Sequence, residues 1–298
     1  GADTLSTTSS GEIDATNATI NFLGGNDTFT NAGLTTAVGT NLFDLGAGTD
    51  TVSNTSTGTI EVDGTTTFAN VESFNNSGVI DMDTLNGGTD DKVVIGDGTF
   101  TGSGGSTLKI DSYLGGLAQL DCTSPTVSDC LVVSNTDGET DINVTDTNGG
   151  PGTLNLDGIV VVDNSGGTNT GANNFELAGA NVTGSGTPAA YIHKGFFDYH
   201  LVQDTSGPDW ALVGIPGQGA MEMTKFESLL QNVWYETAEG WVERTAELRD
   251  DQDNHDGRPK SASMDSSIGW SVWGKAFYSN TKRDTTESVT ALGNTFTF

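Results

Sequence analysis

Short internal echoes constrain the fold of this chain more than anything else in it. Ser10 to Asp14, Thr57 to Glu61 and Ser77 to Asp81 share the form (Ser/Thr)-Gly-x-Ile-(Asp/Glu). A second echo runs through Leu23 to Asp27, Leu45 to Asp50 and Leu85 to Asp90. Asp27 and Asp50 are 23 residues apart, Gly58 and Gly78 are 20 apart, and other gaps are about double. Self-similarity at such a period marks a solenoid. One unit cannot bury its apolar face alone, so successive units must stack.

Within each unit the apolar runs are short: Ile20 to Phe22, Leu42 to Leu45, Ile60 to Val62, Val93 to Ile95, Leu131 to Val133, Ile159 to Val162. Between them lie Gly, Asn and Asp, which tolerate left-handed backbone. Short strands without intervening helices suit a right-handed parallel β-helix, with rungs about 4.8 Å apart. Residues 1–190 would then form about eight or nine coils, a stack roughly 40 Å long. Asn and Thr recurring at equivalent positions would form side-chain ladders between coils. That reading accounts for 41 glycines and a hydrophobic content of only 34% without disorder.

Charge excludes several function classes. The net charge is −29, and before Met221 the only Lys or Arg residues are Lys92, Lys109 and Lys194. Such a surface repels nucleic acid and anionic lipid, both of which are bound through Lys and Arg. Cys122 and Cys130, with seven residues between them including Pro125, have no His beside them and fit a local disulfide rather than zinc. That places the chain in an oxidising compartment.

Two alternatives rest on the acidic turns. Gly46 to Val52 matches the core of the calcium-binding repeats of RTX-type β-rolls, which makes an extracellular calcium-binding repeat protein one alternative. Those sites need tandem copies nine residues apart, and the copies here are 23 and 40 apart. The acidic turns therefore read as caps, with no metal or cofactor expected. A β-helical polysaccharide lyase or hydrolase is the other alternative. Asp81, Asp83, Asp90 and Asp91 supply carboxylates for it, but no Arg precedes residue 244, and His193 and His200 have no nucleophile motif nearby. The chain reads as non-catalytic.

From Ala190 the texture changes. Tyr191, Phe196, Phe197, Tyr199 and Leu201 crowd into one strand-like run, and Trp210 and Leu212 into another after a Ser-Gly-Pro turn. A β-hairpin follows from that pattern, placed where a solenoid needs a terminal cap. Residues 191–219 are read as this cap. Residues 220–250 are read as one long amphipathic helix, because Met223, Phe226, Leu229, Leu230, Val233, Trp234, Trp241 and Leu248 recur at helical steps. A polar linker, 251–268, separates it from an aromatic strand in which Trp270, Val272, Ala276 and Tyr278 share one face.

The order of these pieces resembles the type V autotransporters. Tyr199-His-Leu-Val followed by Asp209-Trp210-Ala-Leu-Val-Gly is similar to the signature closing their passenger, the autochaperone cap. The helix is similar to their pore-threading linker, and Gly269 to Ser279 to their first barrel strand. The resemblance implies a Gram-negative outer-membrane protein with an extracellular passenger. It also implies that 269–298 begin a barrel of about a dozen strands, truncated here. Implied partners are the outer membrane, its barrel-assembly machinery, and a host-cell or matrix ligand for more distant passenger. The implied function is secretion, folding and surface display.

Overall fold

The computed structural model describes residues 1–164, 168–169, 175–255 and 288–297. It is mainly β, with one helix, and separates into two units: residues 1–218 with 287–298, and residues 219–286. In the first unit, twenty strands make one hydrogen-bonded sheet that wraps almost closed around an apolar interior. This is not a membrane barrel. Its interior is filled by Phe, Ile, Val and Leu, whereas Thr, Ser, Asn, Asp and Glu alternate outward. A lipid-facing wall needs the opposite sense.

Nearly all of the pairing up to Ala178 is parallel and falls into three columns. The first runs through Thr4–Ser6, Thr28–Asn31, Thr51–Asn54 and Ser73–Asn76, then the second halves of Lys92–Gly102 and Cys130–Gly138. The second runs through Glu12–Thr16, the starts of Leu34–Asp44 and Thr59–Ala69, then Val79–Asp81, Thr107–Ser112, Thr140–Asp146 and Phe175–Ala178. The third runs from Thr19–Asn21 to Asn155–Asp163. Among the described residues the second column holds seven rungs, where eight or nine coils were expected. The early coils repeat at 22 to 25 residues, whereas later ones stretch to 30, 34 and 38 as loops lengthen.

Alternation explains the interior. In Leu34–Asp44 and Thr59–Ala69 every second side chain is buried, as a strand with one solvated face requires. The chain turns between the second and third columns at Gly39 and Gly64, which pair with each other at φ 80° and 104°. A Cβ on Gly64 would meet the Gly39 carbonyl oxygen at 2.5 Å, so both backbone sign and space select glycine there.

Side chains hold the corners. Asn31 donates to Asn54 at 3.0 Å, Asn54 to Asn76 at 2.8 Å and Asn76 to Ser106 at 2.7 Å, while Ser106 and Thr140 lie 2.8 Å apart. This is the side-chain ladder that the recurrence of Asn and Thr implied. At another corner the Asp27 carboxylate accepts the Asp3 amide, Asp50 accepts the Asp27 amide, and Glu72 accepts the Asp50 amide, at 2.6 to 2.7 Å. Down the interior runs a chain of ring contacts linking Phe29, Phe43, Phe68, Phe74, Phe100, Phe175 and Trp210, with centroids 5.0 to 6.3 Å apart between neighbours.

Candidate functional site

The segment singled out as a cap is a three-stranded antiparallel meander: Tyr191–Lys194, Phe197–Gln203 and Trp210–Pro216. Its last strand also pairs antiparallel with Asn155–Asp163, the last strand of the third column. Parallel pairing stops there. Trp210 is fully buried and packs edge-on against Phe175, with ring centroids 5.7 Å apart, so the cap closes the line of rings. The register sets Trp210 opposite Gln203 and Tyr199 opposite Gly214, because the turn after Gln203 fixes the pairing.

The other cap residues divide by face. Tyr199, Leu201 and Leu212 are buried in the main core, Tyr191 and Phe197 are partly covered, and Phe196 is exposed on the turn. The Tyr199 hydroxyl donates to the Thr153 carbonyl at 3.1 Å and accepts the Thr153 amide at 3.0 Å. Burial holds its phenol above the usual tyrosine range. His200 is buried. Its Nδ1 donates to the Pro188 carbonyl at 2.6 Å, and burial lowers its pKa, so the ring is neutral at physiological pH. His193 stays at the surface, 2.6 Å from the Asp198 carboxylate.

Two additions were not legible in the sequence. Ser288–Ala291 and Asn294–Thr297 form an antiparallel hairpin whose Ala291 and Phe296 pack on Val202, Val213 and Ile215 of the cap. Residues 288–297, which the resemblance counted into the start of a barrel, here cover the outer face of the cap. Alternating side chains put Phe296 inward and Thr295 and Thr297 outward, and the cap offers an apolar face to meet it. Trp270, Val272, Ala276 and Tyr278 lie outside the described residues.

The second addition is Gln119. Its Oε1 accepts the amides of Thr126, Val127 and Ser128 at 3.1 to 3.2 Å, and its Nε2 donates to the carbonyls of Ser128 and Val160. One buried amide thus organises the loop that carries the disulfide. Cys122 and Cys130 are joined there, with Cα atoms 5.9 Å apart, and pack with Val160 and Ala211. The bridge fastens this loop against the strands that meet the cap.

The helix spans Gln218–His255, longer at both ends than the sequence spacing suggested. No proline interrupts the chain between Pro216 and Pro259, and Glu, a good helix former, is the commonest residue of the helix. At 1.5 Å per residue it is about 57 Å long. Phe226, Leu230, Val233, Trp234 and Trp241 all remain exposed on it, Trp241 to 71%. It is not apolar enough over any stretch to cross a membrane.

Several carboxylates outside the cap are held by structural partners. Asp81 sits against Lys109 at 2.7 Å and accepts from Thr84, and Asp27 and Asp50 accept backbone amides. Among the described residues no three His, Cys, Asp or Glu side chains converge as metal ligands. No family model matches the chain, and comparison with curated proteins returns no match.

Proposed function

We propose that this chain is the membrane-proximal stem of an outer-membrane autotransporter, and that it serves secretion, folding and display of an extracellular passenger without catalysing a reaction. In this reading the three parallel columns are the coils of a right-handed parallel β-helix. The antiparallel meander is the autochaperone cap, and the helix is the segment that leads toward a translocator. The observation that carries the reading is the order of parts: a parallel stack, closed by an antiparallel cap, then a 38-residue helix beginning two residues past the last cap strand. Several features agree with it. The exposed Phe, Leu, Val and Trp side chains along the helix need a surrounding wall, and a barrel lumen offers one. The internal disulfide suits an oxidising exterior. Stacking coils release free energy where the chain emerges, which would draw it outward where no nucleotide is hydrolysed. The partners on this reading are the outer membrane, the barrel-assembly machinery and a host-cell or matrix ligand.

Antibodies raised against residues 1–218 test this on intact cells. Labelling of unpermeabilised cells that is lost after added protease supports the proposal. Labelling only after the outer membrane is opened overturns it.

A further inference from the structure

Away from the cap, three carboxyl groups are buried together, and among the described residues none of them forms an ion pair. Asp91, Asp111 and Asp129 are each no more than 1% exposed. Asp129 draws the other two in by their backbones: its Oδ1 accepts the Asp91 amide at 3.0 Å, and its Oδ2 accepts the Asp111 amide at 2.7 Å. Asp91 in turn accepts the Gly64 amide with Oδ1. Oδ2 of Asp91 and Oδ2 of Asp111 are buried and have no hydrogen-bond partner among the described residues. An ionised oxygen left in that state is costly, whereas a protonated one is not.

The surroundings make ionisation harder. Asp63, from the second-column strand beneath, and Asp90, from the preceding loop, face Asp91. Asn86 of the same loop gives its amide to Asp63 and works the other way on Asp91, favouring its anion less than burial opposes it. Asp83 and Asp81 face Asp111, and Thr145 of the next rung donates to Asp83. The two lysines on neighbouring strands are used elsewhere: Lys109 on Asp81, and Lys92 on the carbonyls of Cys122 and Thr123.

We propose that this cluster is a proton-operated clamp: when protonated it locks together the rungs that begin at Asp91 and Asp129 and the strand that carries Asp111, and when deprotonated it loosens them. Burial is the largest cause in every case, raising Asp91 to about 6, Asp111 to about 7 and Asp129 to about 9. The two amides accepted by Asp129 lower its value without offsetting burial, so the protons belong to the cluster as a whole, with the free oxygens of Asp91 and Asp111 among their seats. In the unfolded chain an aspartate titrates near 3.9. Between that pH and the raised values the folded state holds protons that the unfolded state has lost. Stability therefore falls as pH rises through this window and is greatest on its acid side.

Thermal unfolding of the 298-residue chain at pH 5 and pH 8, with chelator present, tests the clamp. The wild type is expected to melt about 5 to 10 °C higher at pH 5. Asp91→Asn/Asp111→Asn, which copies the protonated shape, should melt at pH 8 close to its own pH 5 value. A control that removes equal charge from exposed positions, Asp141→Asn/Asp157→Asn, should keep the wild-type difference. The single variant Asp111→Asn should remove about half of it, and it takes the place of the double variant if that one does not fold. A wild-type midpoint that is flat or lower at pH 5 overturns the proposal, as does a double variant with the wild-type pH difference. A rise at pH 8 in millimolar calcium as large as that from acid also overturns it, because the cluster is then a cation site.

Discussion

Asn54 stands in the middle of a buried ladder and uses its whole side chain: it accepts from Asn31 and donates to Asn76 and to the Val79 carbonyl. Removing it leaves a donor above and an acceptor below without partners in a low-dielectric interior. Asn54→Ala should therefore cost about 3 kcal/mol in urea unfolding, well beyond the loss of one ordinary hydrogen bond. Gly64→Ala should cost about 1 to 3 kcal/mol through its left-handed backbone and the Gly39 carbonyl. The Asn ladder was legible because Asn recurs at one place in successive short units. Asp129 and Gln119 were not. Their partners lie up to 41 residues away across lengthened coils, and nothing local to a loop Asp or Gln says what it will close upon.

Among the elements, the cap couples most strongly to the rest. Trp210 ends the line of rings on Phe175, and its strand is held on both sides, by Phe197–Gln203 and by Asn155–Asp163. Trp210→Ala should destabilise by about 3 to 5 kcal/mol, and the loss should spread inward from the last rung. Limited proteolysis would then cut within 155–178 before it cuts near Thr28–Asn31. The disulfide acts over a shorter range. Opening the eight-residue Cys122–Cys130 span should cost about 2 to 3 kcal/mol, seen as a lowered urea midpoint in reductant. The aromatic runs announced the cap strands, because alternating bulk between turns has few other solutions. They did not announce its register or the Ser288–Thr297 hairpin over it. A register is set by turn geometry and by partners distant in sequence, and four-residue strands carry little pattern of their own.

At the scale of the molecule, the stack behaves as a one-dimensional array in which each rung leans on its neighbours. The same geometry has a consequence for how such a chain can change over time. The coils grow from about 23 residues to 38, while the side-chain pairs at the corners keep the rungs aligned. Extra length is absorbed where the chain leaves the wall, at places such as Gly87, where a side chain would meet nothing within 4 Å. At Gly58 it would run into Asn31 and Asn54 at 2.3 Å. A ten-residue insertion after Gly87 should leave the melting temperature nearly unchanged, whereas the same insertion after Gly58 should abolish cooperative melting. The outward loops are thereby free to diversify as a variable coat, each new one grafted onto a frame whose inheritance is confined to its corners and its interior.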